Sequence, residues 1–262
     1  MRRISFVQFL LLFTFTCVWA IGQNGAAACG EKDYDCRIDA YTKAVEANPN
    51  DIESYFNRGM AYKSSGRSEM AMADLSKYIS MKPSNLAYLA DGYVARGNVY
   101  REGGKYDLAI ADYGAALTAN PKNQAARLNR GLAYAAKKDY LSALKDYNAL
   151  ILADPKYAEA YYDRGLAYMD QNKNDLALAD FDKYVSMDVT NNEYWADGYT
   201  NRGIVRTRKG DLIGALADLS KAITLKPDDP VAYRARATAY RKQGKTTLAN
   251  EDDSKAAELE GK

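Results

Sequence analysis

Two charged residue types recur through this chain at a fixed distance and could do chemistry together. Arginines stand at Arg58, Arg96, Arg130, Arg164, Arg202 and Arg236. Sixteen residues after each comes an aspartate: Asp74, Asp112, Asp146, Asp180, Asp218 and Asp252. A guanidinium beside a carboxylate can orient an anion, polarise a substrate, or hold two segments in register. Recurrence decides among these. A catalytic group is needed once, whereas a feature present six times serves whatever is itself repeated. The arginine of one helix is therefore expected to pair with an aspartate of another, in the same repeat or the next.

The remaining inventory for catalysis is thin. The 262 residues contain no histidine, which removes histidine bases, histidine triads and most zinc sites. The carboxylates are numerous but fixed by the repeat, so no acid/base pair stands out. Gly103-Gly104 falls at a turn inside a repeat and is not a phosphate loop. The chain is read as non-enzymatic, with no cofactor and no metal. Lys+Arg number 36 and Asp+Glu 34, and the first 28 residues hold Arg2 and Arg3 without an acid. From Cys29 onward the charges balance, which argues against nucleic acid as a partner.

The elements that position the charged pairs show in Asn129–Pro155, which reads as two short helices around the polar break Lys137-Lys138-Asp139. In the first, Leu128 and Leu132 are one turn apart and Gly131 and Tyr134 three apart. In the second, Leu141, Ala143, Leu144, Tyr147, Leu150 and Ile151 are expected to share one stripe, and Asp154-Pro155 ends it. Neither helix is long enough to be stable alone. Similar pairs follow one another. Glycine recurs at Gly59, Gly97, Gly131, Gly165 and Gly203, with Ala237 last, in steps of 38, 34, 34, 38 and 34 residues. An alanine follows each twelve residues later, from Ala71 to Ala249, and prolines close four units at Pro83, Pro121, Pro155 and Pro227. A fixed period of this length implies a solenoid.

The pattern resembles the tetratricopeptide repeat (TPR) family. Its first aromatic is matched by Tyr55, Tyr93, Tyr161, Tyr199 and Tyr233, with Arg127 as the exception. Its later tyrosine is matched by Tyr62, Tyr100, Tyr134, Tyr168 and Tyr240, with Arg206 as the exception. Arginine replaces the family's leucine before the glycine. The small residues let two backbones approach, and the tyrosines are expected to fill the space beside them. The resemblance implies an all-α fold, a right-handed solenoid of antiparallel helix pairs, whose first helices line a concave groove for a protein or peptide.

Carried over by position, that groove begins with Phe56, Asn57, Met60 and Lys63, then Val94, Asn98 and Arg101, then Leu128, Asn129 and Leu132. It continues with Tyr162, Asp163, Leu166 and Met169, then Asn201, Ile204 and Arg208, and ends at Arg234, Arg241 and Lys242. Amides there would bond a peptide backbone, and the aromatic and Met side chains would give adaptable apolar contacts. Asn98 and Asn129 match the two asparagines of the family's carboxylate clamp, but Val94, Glu159 and Asp163 stand where cations are needed, so chaperone-tail binding is not expected.

The ends differ from the middle. Residues 1–28 combine a basic start, an apolar run Ile4–Trp19 and small residues, the pattern of a signal peptide cleaved after Ala20 or Ala28. An uncleaved anchor and lipidation of Cys29 are the other readings. The expected protein is exported, periplasmic or secreted, without a membrane span in its mature chain. In one helix, Cys29 and Cys36 would be about 10 Å apart, too far for a disulfide. A bridge requires Cys29 to lie off the helix; two unrelated thiols are the alternative. Residues 29–51 read as a capping helix, and 52–262 as six repeats at 52–89, 90–123, 124–157, 158–195, 196–229 and 230–262. The block 52–157 maps onto 158–262, as if a three-repeat unit had been duplicated. Asp253 stands where other repeats carry a large apolar residue, which marks a polar closing helix. The expected function is a binding scaffold in a cell-envelope complex. The alternative is a structural or self-associating component acting through the convex face.

Overall fold

The computed structural model describes residues 29–30, 32–187 and 192–261. The expected leader, 1–28, lies outside the described residues. Thirteen α-helices and no strands are found among the described residues. The chain is an all-α helical repeat solenoid built of antiparallel pairs. It divides into two compact units, Met1–Lys138 and Asp139–Lys262. The division falls between the two helices of the third repeat rather than at the duplication boundary.

The first unit holds α1 (Tyr34–Ala47), α2 (Ile52–Ser64), α3 (Ser68–Ser80), α4 (Leu86–Glu102), α5 (Tyr106–Ala119) and α6 (Gln124–Ala136). The second holds α7 (Tyr140–Ala153), α8 (Ala158–Asp170), α9 (Asn174–Ser186), α10 (Asn192–Lys209), α11 (Leu212–Leu225), α12 (Pro230–Lys242) and α13 (Thr246–Glu260). Within each unit consecutive helices pack together. First helices also touch the next first helix, α2 with α4, α4 with α6, α8 with α10 and α10 with α12, and so line one side of their unit.

Local chemistry sets the helix bounds. Asp51, Asn85, Asn123 and Asp229 cap first helices by accepting backbone N–H bonds. The turn inside each pair needs one residue in the left-handed region. Gly66, Gly104, Gly210 and Gly244 supply it, and Lys138 and Asn172 adopt it at φ 63° and 57°. The four extra residues of the two longer repeats become helix: α4 has 17 residues and α10 has 18, against 13 in α2, α6, α8 and α12. Helix crossings are tight. A Cβ on Gly97 would lie 2.8 Å from the Tyr113 ring, one on Gly165 2.9 Å from Phe181, and one on Gly203 2.6 Å from Leu219.

The disulfide between Cys29 and Cys36 is formed, with Cα atoms 5.8 Å apart. Cys29 precedes the helix, and Asp33 caps α1 by accepting the Cys36 N–H at 3.0 Å. One sequence expectation is corrected: Leu141 does not join the α7 stripe. It lies two residues before Ala143, about 120° from the stripe's centre at 100° per residue. It is exposed, while Ala143, Tyr147 and Leu150 are buried.

Candidate functional site

The recurrent arginines are structural clamps. Arg58 meets Asp74 through Nε and Nη2 at 2.7 and 2.8 Å. Arg96–Asp112, Arg164–Asp180, Arg202–Asp218 and Arg236–Asp252 repeat this two-point geometry at 2.6–2.8 Å. The free Nη1 of each reaches back to the preceding second helix, at Thr42, Ser76, Asn148, Asp182 and Ser220 respectively. One guanidinium thus joins three helices, in its own repeat and the one before. Arg130 and Asp146 of the third repeat fall in different units.

The tyrosines have a role other than the expected one. Tyr55 and Tyr62 lie three and four residues from Arg58, on the same helix face, with ring centroids 5.7 and 5.9 Å from its guanidinium. The same sandwich surrounds Arg96, Arg164 and Arg236. The space beside the glycines is filled instead by second-helix residues such as Tyr113, Phe181 and Leu219. In the fifth repeat Arg206 replaces the later tyrosine and donates to Asp218 at 2.8 Å, so that carboxylate meets two arginines.

On the first-helix side of the first unit, Phe56 lies 5.0 Å from the Tyr78 ring, and with Met60 it packs on Ala71, Leu75, Ala95 and Val99. Both stay half-buried, as do Asn57, Arg101 and Leu132. Lys63 is paired with Glu102 at 2.9 Å. Val94 and Leu128 are buried. Asn98 is buried and accepts the Tyr113 hydroxyl at 2.7 Å. Burial pushes that hydroxyl's pKa up and keeps it a donor. Asn129 is fully buried and donates to its own helix, at Ala125 O, 2.9 Å. These two amides are engaged in packing rather than presented to a ligand.

On the same side of the second unit, Tyr162 stacks 5.0 Å from Tyr184 and 6.0 Å from Phe181. Its hydroxyl accepts from Asn201 Nδ2 at 3.0 Å, and Asn201 also donates to Asp197 O. Asp163, Leu166, Met169 and Ile204 are half-buried. Burial pushes the Glu159 carboxyl up, with Asp154 adding to the effect. Burial also pushes up the Tyr157 hydroxyl, beside Glu159, Asp163 and Asp154. Arg208 donates to Met169 O at 3.2 Å, and Lys242 to Thr207 O at 3.0 Å. Arg234 pairs with Glu260, and Arg241 with Asp253. At the corresponding positions of α4 and α10, Val94, Thr200 and Thr207 are buried and Arg101 is half-buried. No further first helix follows α12 among the described residues, so its arginines lie open and are neutralised by α13. No group of three His, Cys, Asp or Glu residues is placed to hold a metal among the described residues. No described helix is long and apolar enough to cross a membrane.

Comparison with known proteins agrees with this geometry. Family models described as TPR repeat match residues 97–138 and 203–244, and models described as tetratricopeptide repeat match 40–73 and 138–191. YrrB, described as a TPR protein with an unusual peptide-binding site, is 27% identical with a TM-score of 0.57, over 76% of this chain and 98% of that one. A tetratricopeptide repeat protein of Parabacteroides merdae ATCC 43184 is 26% identical with a TM-score of 0.65, over 77% of each chain. Protein SGT1 homolog of Oryza sativa subsp. japonica is 37% identical over 67 residues, which are 25% of this chain and 18% of that protein's length.

Proposed function

The chain is a tetratricopeptide repeat protein, a protein-interaction scaffold, and we propose that it binds an extended polypeptide along its first-helix faces. The observation carrying this reading is the set of apolar side chains left half-exposed there. Phe56, Met60 and Leu132 line the first unit, and Tyr162, Leu166, Met169 and Ile204 the second. Large apolar and aromatic groups at a surface contribute most to binding when a partner desolvates them. Asn57, Asp163 and Asn201 stand among them to meet backbone amides. The likeness to YrrB, described as having a peptide-binding site, supports the same reading.

Within this proposal Arg234 and Arg241 stand on α12 beside α13, and Asn98 and Asn129 shape the walls. The protein acts without catalysis, in an exported complex of the cell envelope. The Cys29–Cys36 disulfide is compatible with an oxidising compartment. Mass spectrometry of the mature amino terminus tests export: a start after Ala20 or Ala28 is expected, and a start at Met1 would contradict a cleaved leader.

A further inference from the structure

One polar constellation on the first-helix side of the first unit is not required by the repeat. Asn98 stands one residue after the glycine, where other repeats place Met60, Leu132, Leu166 or Ile204. It is buried and accepts the Tyr113 hydroxyl at 2.7 Å. Arg101 follows in the last turn of α4. In the duplicated block the positions of Asn98, Tyr113 and Arg101 hold Ile204, Leu219 and Thr207. Leu219 is fully buried, and Thr207 turns its hydroxyl back to Gly203 O at 2.8 Å. The fold thus packs the same crossing without an amide, a phenol or a cation. A cation near a helix C-terminus gains from the dipole, yet α6 and α8 have none in their last turns.

The constellation presents a positive charge. Asn98 takes the Tyr113 hydrogen, which leaves the phenol oxygen to accept. The Arg101 guanidinium lies beside that oxygen, where its charge and hydrogen bonding work against the burial that pushes the Tyr113 pKa up. Arg101 is half-buried, and its Nε is buried with no hydrogen-bond partner. The clamp arginines of the same unit, Arg58 and Arg96, each meet a carboxylate at 2.7 Å. Arg101 meets none among the described residues. Its neighbour Glu102 is committed to Lys63 at 2.9 Å. Asp91, about 15 Å back along α4, accepts from Asn123 at 3.5 Å. Lys63, Arg101 and Glu102 together leave one positive charge in excess. A half-buried guanidinium without a counterion is unfavourable, and an anion brought by a partner relieves it.

We propose that Arg101 selects the polypeptide bound on this face by pairing with one carboxylate that the polypeptide carries. The inference rests on the reading that first-helix faces bind an extended polypeptide. Met60 and Leu132 supply apolar contact on the neighbouring helices, and Arg101 supplies the charge. Asn98 and Tyr113 are positioning residues. A guanidinium oriented before binding loses little freedom on pairing, and a cation there disfavours a basic residue. Lys63 and Arg101 correspond to Met169 and Thr207 in the duplicated block, so the preference for an acid belongs to the first unit.

The test is selection of two random dodecapeptide phage libraries on the immobilised full chain. One library displays peptides without a free carboxy terminus, the other with one. The wild type is expected to enrich Asp or Glu about tenfold at one position of the first library, which identifies a side-chain carboxylate. Enrichment confined to the second library identifies the terminal carboxylate instead. Arg101→Gln, matched to the wild type by thermal melt, is expected to lose the preference. Arg101→Glu is expected to select Lys or Arg in its place. The Met60→Ala/Leu132→Ala variant is expected to bind the selected peptides about tenfold less, which places them on the first-helix face. With that loss observed, an acid preference absent from the wild type, or unchanged in both Arg101 variants, would overturn this proposal and leave the binding face standing. No enriched peptide in either library, or equal binding by Met60→Ala/Leu132→Ala, would overturn the binding face and this proposal with it.

Discussion

The arginine that precedes each glycine explains more of this molecule than any other residue. At Arg58, Arg96, Arg164 and Arg236 it lies against two tyrosine rings, pairs with a buried aspartate and reaches one helix further back. Burial pushes the Asp180 carboxyl up against the pull of Arg164, so the pair fixes register at a cost in desolvation. Replacing Arg164 alone leaves a buried carboxylate without its main partner. Arg164→Ala is expected to destabilise by about 3 kcal/mol, and adding Asp180→Asn to recover part of it, read from denaturant melts. Glu159 gives a prediction with the opposite sign. Its folded-state pKa is raised by burial, so the folded chain holds a proton that the unfolded chain has lost between the two pKa values. Stability from this group therefore rises as pH falls through that window. Glu159→Gln is expected to raise Tm at pH 7, and the gain to vanish as pH is lowered below the carboxylate's range. The arginine–aspartate pairing was legible from the sixteen-residue spacing. The tyrosine sandwich was not, because spacing along one helix gives the shared face but not whether a glycine or a guanidinium lies under it. Asn98 and Asn129 were legible as first-helix amides, while their burial depends on neighbouring helices that a repeat pattern does not describe.

At the scale of elements, the turns and crossings carry the constraints. Lys138 holds a left-handed conformation that glycine takes at four of the six turns. Lys138→Gly is expected to stabilise by about 1 kcal/mol in thermal melts, since a side chain there is strained. Two helical glycines make an opposed pair. A Cβ on Gly198 would lie 2.5 Å from the Tyr184 ring, which itself stacks on Tyr162, whereas a Cβ on Gly114 would meet nothing within 4 Å. Gly198→Ala is expected to cost about 2 kcal/mol, and Gly114→Ala to add about 0.5–1 kcal/mol through helix propensity. Both helices of each repeat were legible in the sequence, and so were the four extra residues of the first and fourth repeats. That those residues lengthen α4 and α10 rather than a loop follows from what they bring. Asn85 caps α4, and Tyr78 donates to Tyr88 O at 2.9 Å, fastening its added turn to α3. Leu141 was misplaced because a first-turn residue can match a helical spacing and still point away from the stripe.

At the scale of the molecule, each unit offers a first-helix face on which apolar side chains stay half-exposed. Sequence alone made the family and the all-α repeat plain, because six concordant copies leave few alternatives. It could not separate groove from wall, since both are lined by residues of the same types at the same repeat positions. Nor could it show Arg234 and Arg241 tied to α13, because Val94, Thr200 and Thr207, which share their register in α4 and α10, are buried. The proposed binding face is tested most directly by crosslinking capture from the exported fraction, comparing the wild type with Tyr162→Ala/Met169→Ala and matching both for thermal stability. The account predicts a crosslinked protein with the wild type that is lost with the variant. The same protein captured equally by both would contradict it and place the binding surface elsewhere on the chain.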